Sequence, residues 1–172
     1  NANTARRKTE IKNIEKEIKD IKIVVDKDLN LSKSYEKSLE DYQNVDANLS
    51  QLRIYESRFK DKQKAFKKEY KFFESNEHCP TCQQAITEEL RTNKKSGITD
   101  QLTQIETATE QLKGELDDIL VKISNKNEIV QELSKTQQAI SEAQREIQYR
   151  KRQIKAIEKK IDEATGSNSS LK

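Results

Sequence analysis

The only proline of this chain, Pro80, lies in the tetrapeptide Cys79-Pro80-Thr81-Cys82, and just three glycines occur in 172 residues. Proline inside a helix removes a backbone donor and clashes with the preceding turn, at about 3 kcal/mol or more. A single helix therefore cannot run comfortably through residue 80, while little else in the sequence resists helix on either side. With 32% hydrophobic and 37% charged residues, against roughly 45–50% apolar in an ordinary globular domain, a compact core cannot be filled. The choice lies between disorder and long amphipathic helices, and hydrophobic periodicity decides it.

The periodicity is helical. Apolar positions step by three and four through Ile11, Ile14, Ile18, Ile21 and Val25, weaken at Asp28 and Ser32, and resume at Tyr35, Leu39, Tyr42, Val45, Leu49 and Leu52. Phe59, Phe66, Tyr70 and Phe73 continue the stripe. Two consecutive steps of three, at Leu39, Tyr42 and Val45, locally overwind such a seam. Beyond the tetrapeptide a second seam reads Ile98, Leu102, Ile105, Leu112, Leu116, Ile119, Ile123, Leu133, Ile140, Ile147, Ile154, Ile157 and Ile161. Lys, Glu, Asp, Gln and Asn fill the intervening positions, as the flanks of a heptad seam require.

Folding the chain at the cysteine turn sets Phe59 against Leu102, Leu49 against Leu112, Val45 against Leu116 and Tyr42 against Ile119. Farther along, Asp28 meets Leu133, Ile21 meets Ile140 and Ile14 meets Ile147. The paired residue numbers keep a nearly constant total, as an antiparallel intramolecular coiled coil needs and independent helices do not. The sequence therefore predicts an all-α fold, a long antiparallel coiled-coil hairpin. An ascending helix covers 4–75, a turn 76–86, a descending helix 87–165 and a flexible tail 166–172. Asn76 is expected to close the first helix in a left-handed conformation. Thr87, followed by Glu88 and Glu89, is expected to cap the second. Ser96-Gly97 either kinks that helix or is absorbed within it. Ile154, Ile157 and Ile161 would pair with residues before Asn1, and the absence of methionine suits an internal piece of a longer protein.

Thirty-three basic residues nearly cancel thirty acidic ones, for a net charge of +3, so bulk charge does not indicate nucleic-acid binding. No apolar run approaches the roughly 18 residues of a membrane span, no signal peptide is visible, and no membrane partner is expected. Two thiols without secretory features fit an intracellular, reducing compartment, cytoplasm or nucleus. No phosphate-binding loop, catalytic triad or paired-acid site occurs, and no enzymatic activity is expected of this chain.

A Cys-x-x-Cys pair is by itself a redox pair, an inert pair or part of a metal site. The thioredoxin-like redox motif needs a βαβ context, and no strand pattern exists here. At the turn between two helices the pair suggests half of a zinc site. Structural zinc prefers four ligands, and a second copy of the same turn would supply the missing two thiolates.

Cys79-Pro80-Thr81-Cys82, with apolar Ile86 four residues on and Thr87 followed by two acids, resembles the zinc-hook apex of the Rad-fifty/SbcC family. These are SMC-like ATPases of DNA double-strand-break repair and recombination. The resemblance is specific at the apex and generic elsewhere. It implies that Cys79 and Cys82 ligate Zn2+, one ion per two chains, in a homodimer joined hook to hook. Ile86 matches a position that packs against the partner hook, and Pro80, Thr81 and Gln83 would share that contact. It further implies a parent ATPase that works with a nuclease subunit and meets DNA through head domains absent from this chain. Related hooks often place glycine after the second cysteine. Gln83 stands there instead, and a side chain resists the left-handed backbone that glycine adopts.

Other residues have blander readings. His78, adjacent to Cys79, is poorly placed to bind the same ion. Lys60, Lys62, Lys64, Lys67, Lys68 and Lys71 surround seam aromatics and read as a solvated face whose stems cover apolar surface. Arg145, Arg150, Lys151, Arg152, Lys155, Lys159 and Lys160 form a slightly better basic patch. The leading expectation is a zinc-joined tethering module. The alternatives are a nucleic-acid-binding coiled-coil arm and a passive spacer with incidental cysteines.

Overall fold

A computed structural model describes residues 2–170, with side chains for 2–166. Three helices account for nearly all of them: α1 (Ala2–Leu39), α2 (Val45–Ser75) and α3 (Glu88–Ser170), with a 3-10 turn at Glu40–Tyr42 between the first two. Among the described residues there is no strand, only an isolated antiparallel bridge between His78 and Ala85. The chain divides into two compact units, one spanning Tyr42–Asn125 and the other formed by the residues up to Asp41 and from Lys126 onward.

The expected ascending helix is therefore two helices. The interruption falls where the seam takes its two short steps, at Leu39, Tyr42 and Val45. Overwinding there relaxes into the tighter 3-10 geometry, which suits short runs. α2 restarts at Asn44, whose carbonyl accepts from the Asn48 N–H at 2.9 Å while its side chain makes no cap bond. Asp46 in the first turn favours the positive end of the helix dipole.

Within the unit that holds the tetrapeptide, α2 packs against the first part of α3. Val45, Ile98, Ile105, Leu112, Leu116 and Ile119 are buried there at 5–8% exposure. All six are seam positions. The pairing is antiparallel: Lys95 lies 5.1 Å over the Tyr70 ring, Phe59 shares a groove with Ile105, and Asn48 shares one with Glu115. In the other unit Ile18, Val25, Ile140 and Ile147 form the core, with Ile14, Ile21, Ala143 and Ile154 packed against it. Arg150 bridges Glu17 across the pair and Glu146 on its own helix at 2.9 Å. Arg7 donates to the Lys160 carbonyl at 3.4 Å, so this pairing too is antiparallel. Ser32 is buried at the weak point of the seam.

The register is displaced from expectation by about one helical turn, since Phe59 shares its groove with Gln104 and Ile105, beyond the Leu102 expected opposite it. Part of the cause lies in the turn. Three residues, 76–78, separate α2 from Cys79, whereas five, 83–87, separate Cys82 from α3. The fold-back is thus centred beyond the midpoint of the cysteines, which contributes about two residues to that shift within this unit. In the other unit a second expectation is corrected: Ile154 packs on the core and Ile157 shares a groove with Ile14, so these isoleucines find partners inside the chain.

α3 passes through Ser96-Gly97 without interruption and continues to Ser170, beyond the expected tail boundary at 166. Extending an established helix is far easier than starting one, so residues that would not nucleate a helix are carried along. Leu171 and Lys172, the rest of that expected tail, lie outside the described residues.

Candidate metal-binding loop

Ser75 ends α2, and the next residue sets the course of the loop. Asn76 donates twice to the Phe72 carbonyl, from its backbone N–H at 3.1 Å and from Nδ2 at 2.9 Å. Its backbone is extended, at φ −119° and ψ 126°, not the left-handed cap the sequence predicts. The side chain contributes the cap, and extension frees the chain to pair with the returning strand of the loop. There the Ile86 N–H donates to the Glu77 carbonyl at 2.8 Å and the Cys79 N–H to the Gln84 carbonyl at 2.9 Å. Inside this frame the Gln83 N–H donates to the Cys79 carbonyl at 2.8 Å, closing a tight turn over Pro80, Thr81 and Cys82.

The left-handed residue is Gln83, with φ 60°. The conformation that glycine adopts easily is thus present here despite the side chain, at a cost of about 1–2 kcal/mol. The surrounding hydrogen bonds hold it. Sequence reasoning expected a side chain at residue 83 to resist a left-handed backbone, and Gln83 adopts that backbone nonetheless.

The turn aims backbone N–H groups at sulfur. The Cys79 thiol is held below its ordinary pKa, first by the Cys82 backbone amide, then by the Cys82 thiol and the Thr81 amide and hydroxyl, against a smaller opposing effect of burial. Convergent donors of this kind favour the thiolate. Cys79 is half-buried, Cys82 is exposed, and both are free. Pro80, Thr81, Gln83 and His78 are exposed, and Ile86 is half-buried.

On the descending side Thr87 caps α3 as expected. Its Oγ1 accepts from the Leu90 N–H at 3.1 Å and its carbonyl from the Arg91 N–H at 2.9 Å. Two residues that sequence reasoning did not single out complete the neck. Arg91 reaches back from α3 so that Nη2 donates to the Asn76 carbonyl at 3.2 Å, tying the two ends of the loop together. Leu90, 45% exposed, is an exposed apolar side chain just beyond the loop. Both look like ordinary first-turn helical residues in sequence, and only the position of the carbonyl across the neck distinguishes Arg91.

Chemically the loop presents two soft donors and little else. Among the described residues no group of three or more His, Cys, Asp or Glu side chains could hold a metal ion. The thiols fit a tetrahedral thiolate site as half of its donor set, and the amides aimed at Cys79 suit a bound thiolate. No helix among the described residues is long and apolar enough to cross a membrane. No protein-family model, curated protein or solved structure matches the chain.

Proposed function

We propose that this chain is a tethering module in which the loops of two copies join through one shared zinc ion held by Cys79 and Cys82 of each. The observation that carries this reading is a loop whose amides favour the Cys79 thiolate, set beside an exposed second thiol, with no third donor grouped with them among the described residues. Structural zinc is four-coordinate and takes thiolates readily. A site with two donors per chain is completed most simply by a twin.

Zinc would supply the association energy. The thiol loop is small and mostly polar, with Ile86 half-buried, so a contact limited to it would fall short of the roughly 1,200–2,000 Å² of a standard stable interface. Zinc binding in small structural sites is worth about 10–16 kcal/mol near neutral pH. Part of that offsets the loss of translational and side-chain freedom on association. The rest holds the two chains. In keeping with the resemblance, the parent would be a repair ATPase with a nuclease partner, and this chain the piece that links two such molecules.

The test is stoichiometry with mass. Elemental analysis should give one zinc per two chains, and light scattering should give a dimer that chelator, Cys79→Ser or Cys82→Ser converts to monomer. Circular dichroism should barely change, because the buried seams contain no cysteine. A cysteine-free chain that stays dimeric at low micromolar concentration would show that zinc is not the clasp. Absence of bound zinc would favour a passive spacer.

A further inference from the structure

We propose that the outward face of α2 beside the loop, formed by Lys60, Lys64, Lys67 and Lys71, binds the phosphodiester backbone of duplex nucleic acid. The steps of four, three and four place these ammonium groups on one side of the helix, and all four are exposed. They extend over about 16 Å at 1.5 Å per residue, and Lys68 widens the stripe on one flank. None of the four makes an ion pair or side-chain hydrogen bond with another described residue.

Two exposed carboxylates border the stripe at helical spacing, Asp61 from Lys64 and Glu74 from Lys71, and neither forms an ion pair with it. Glu56, at one end of the stripe, is held by Arg53 at 3.2 Å. Glu69 lies on the other side of α2, in the groove with Phe66 and Ile98. Along α1, Glu15 likewise shares a face with Lys12 and Lys19 at helical spacing. The near-neutral total charge of the chain therefore conceals a local row of exposed lysines that outnumber the carboxylates on their face. Flexible ammonium groups suit phosphate as point charges. No aromatic residue shares the stripe, so it has no platform on which single-stranded bases could stack, and it should read the backbone without sequence preference.

The experiment measures anisotropy of a fluorescent random-sequence duplex with the zinc-loaded full chain across about 50–200 mM salt. Binding should be micromolar or weaker, with log K falling against log salt at a slope of about −3.6, the value for four neutralised phosphates. K60Q/K64Q/K67Q/K71Q should flatten the slope toward zero, and K64Q/K67Q should halve it, each with unchanged circular dichroism. K8Q/K12Q/K16Q/K19Q removes the same charge elsewhere and should leave the slope in place. Equal losses from the two quadruple variants would overturn the proposal, as would no salt-dependent binding by the parent chain. Tighter binding to phosphatidylserine vesicles or to a single strand than to the duplex would also overturn it. Because none of these variants touches Cys79 or Cys82, dimer mass by light scattering separates this result from the fate of the zinc tether.

Discussion

Cys79 and Gln83 face each other across the hydrogen bond from the Gln83 N–H to the Cys79 carbonyl, and each reports on the loop separately. Amides aimed at Cys79 lower its pKa, so in chelator the pH midpoint of its alkylation, followed by mass spectrometry, should fall below that of a cysteine in an unstructured peptide. The sign for metal follows. A lowered pKa keeps the thiolate available at lower pH, and zinc binding should be lost only as falling pH protonates the sulfur. Gln83 holds φ 60° with a side chain. Gln83→Gly should stabilise the closed loop by about 1 kcal/mol, close to fivefold in an opening equilibrium. Slower amide exchange at Cys79 and Ile86, the two N–H groups that close the loop, would show it. Unchanged exchange would mean that the left-handed turn stores no strain.

At the scale of elements, α3 runs through three glycines where a side chain would meet nothing within 4 Å, Gly97, Gly114 and, near its end, Gly166. Glycine inside a helix costs about 0.5–1 kcal/mol relative to alanine. Gly97→Ala and Gly114→Ala should each stabilise the chain by that amount in thermal or denaturant unfolding, and together they should nearly add. The seams themselves were legible in sequence because burial follows the three-and-four spacing: Val45, Leu112, Leu116, Ile119, Ile140 and Ile147 are both predicted and buried. Thr87 was legible for the same local reason, since a cap is written in its own side chain. The register and the cap at Asn76 were not. Both depend on how many residues the loop uses on each side of the cysteines, and that count is settled by the bonds between Glu77 and Ile86 and between Cys79 and Gln84. Ser32 in a seam is likewise invisible to periodicity, which sees only a gap.

For the whole molecule, the feature with the widest consequence is the loop's two thiols, with no third donor grouped with them among the described residues. On the zinc-joined reading, neither chain owns the ion. The link is then a three-body assembly whose yield rises and falls with supply. At half an equivalent of zinc every ion finds two loops. With a large excess each loop captures an ion of its own and completes the shell with water, leaving no vacancy for a neighbour. Dimer mass followed across a zinc titration at fixed protein should trace a bell, and the descending limb should retreat to higher zinc as protein concentration is raised. A curve that rises and then stays flat would mean that one thiol pair holds zinc too weakly to compete with the shared site, or that other contacts hold the copies together. A linker of this type is set by the ratio of metal to chain as much as by the affinity of either, so the same sequence can join its copies or keep them apart without any change in fold.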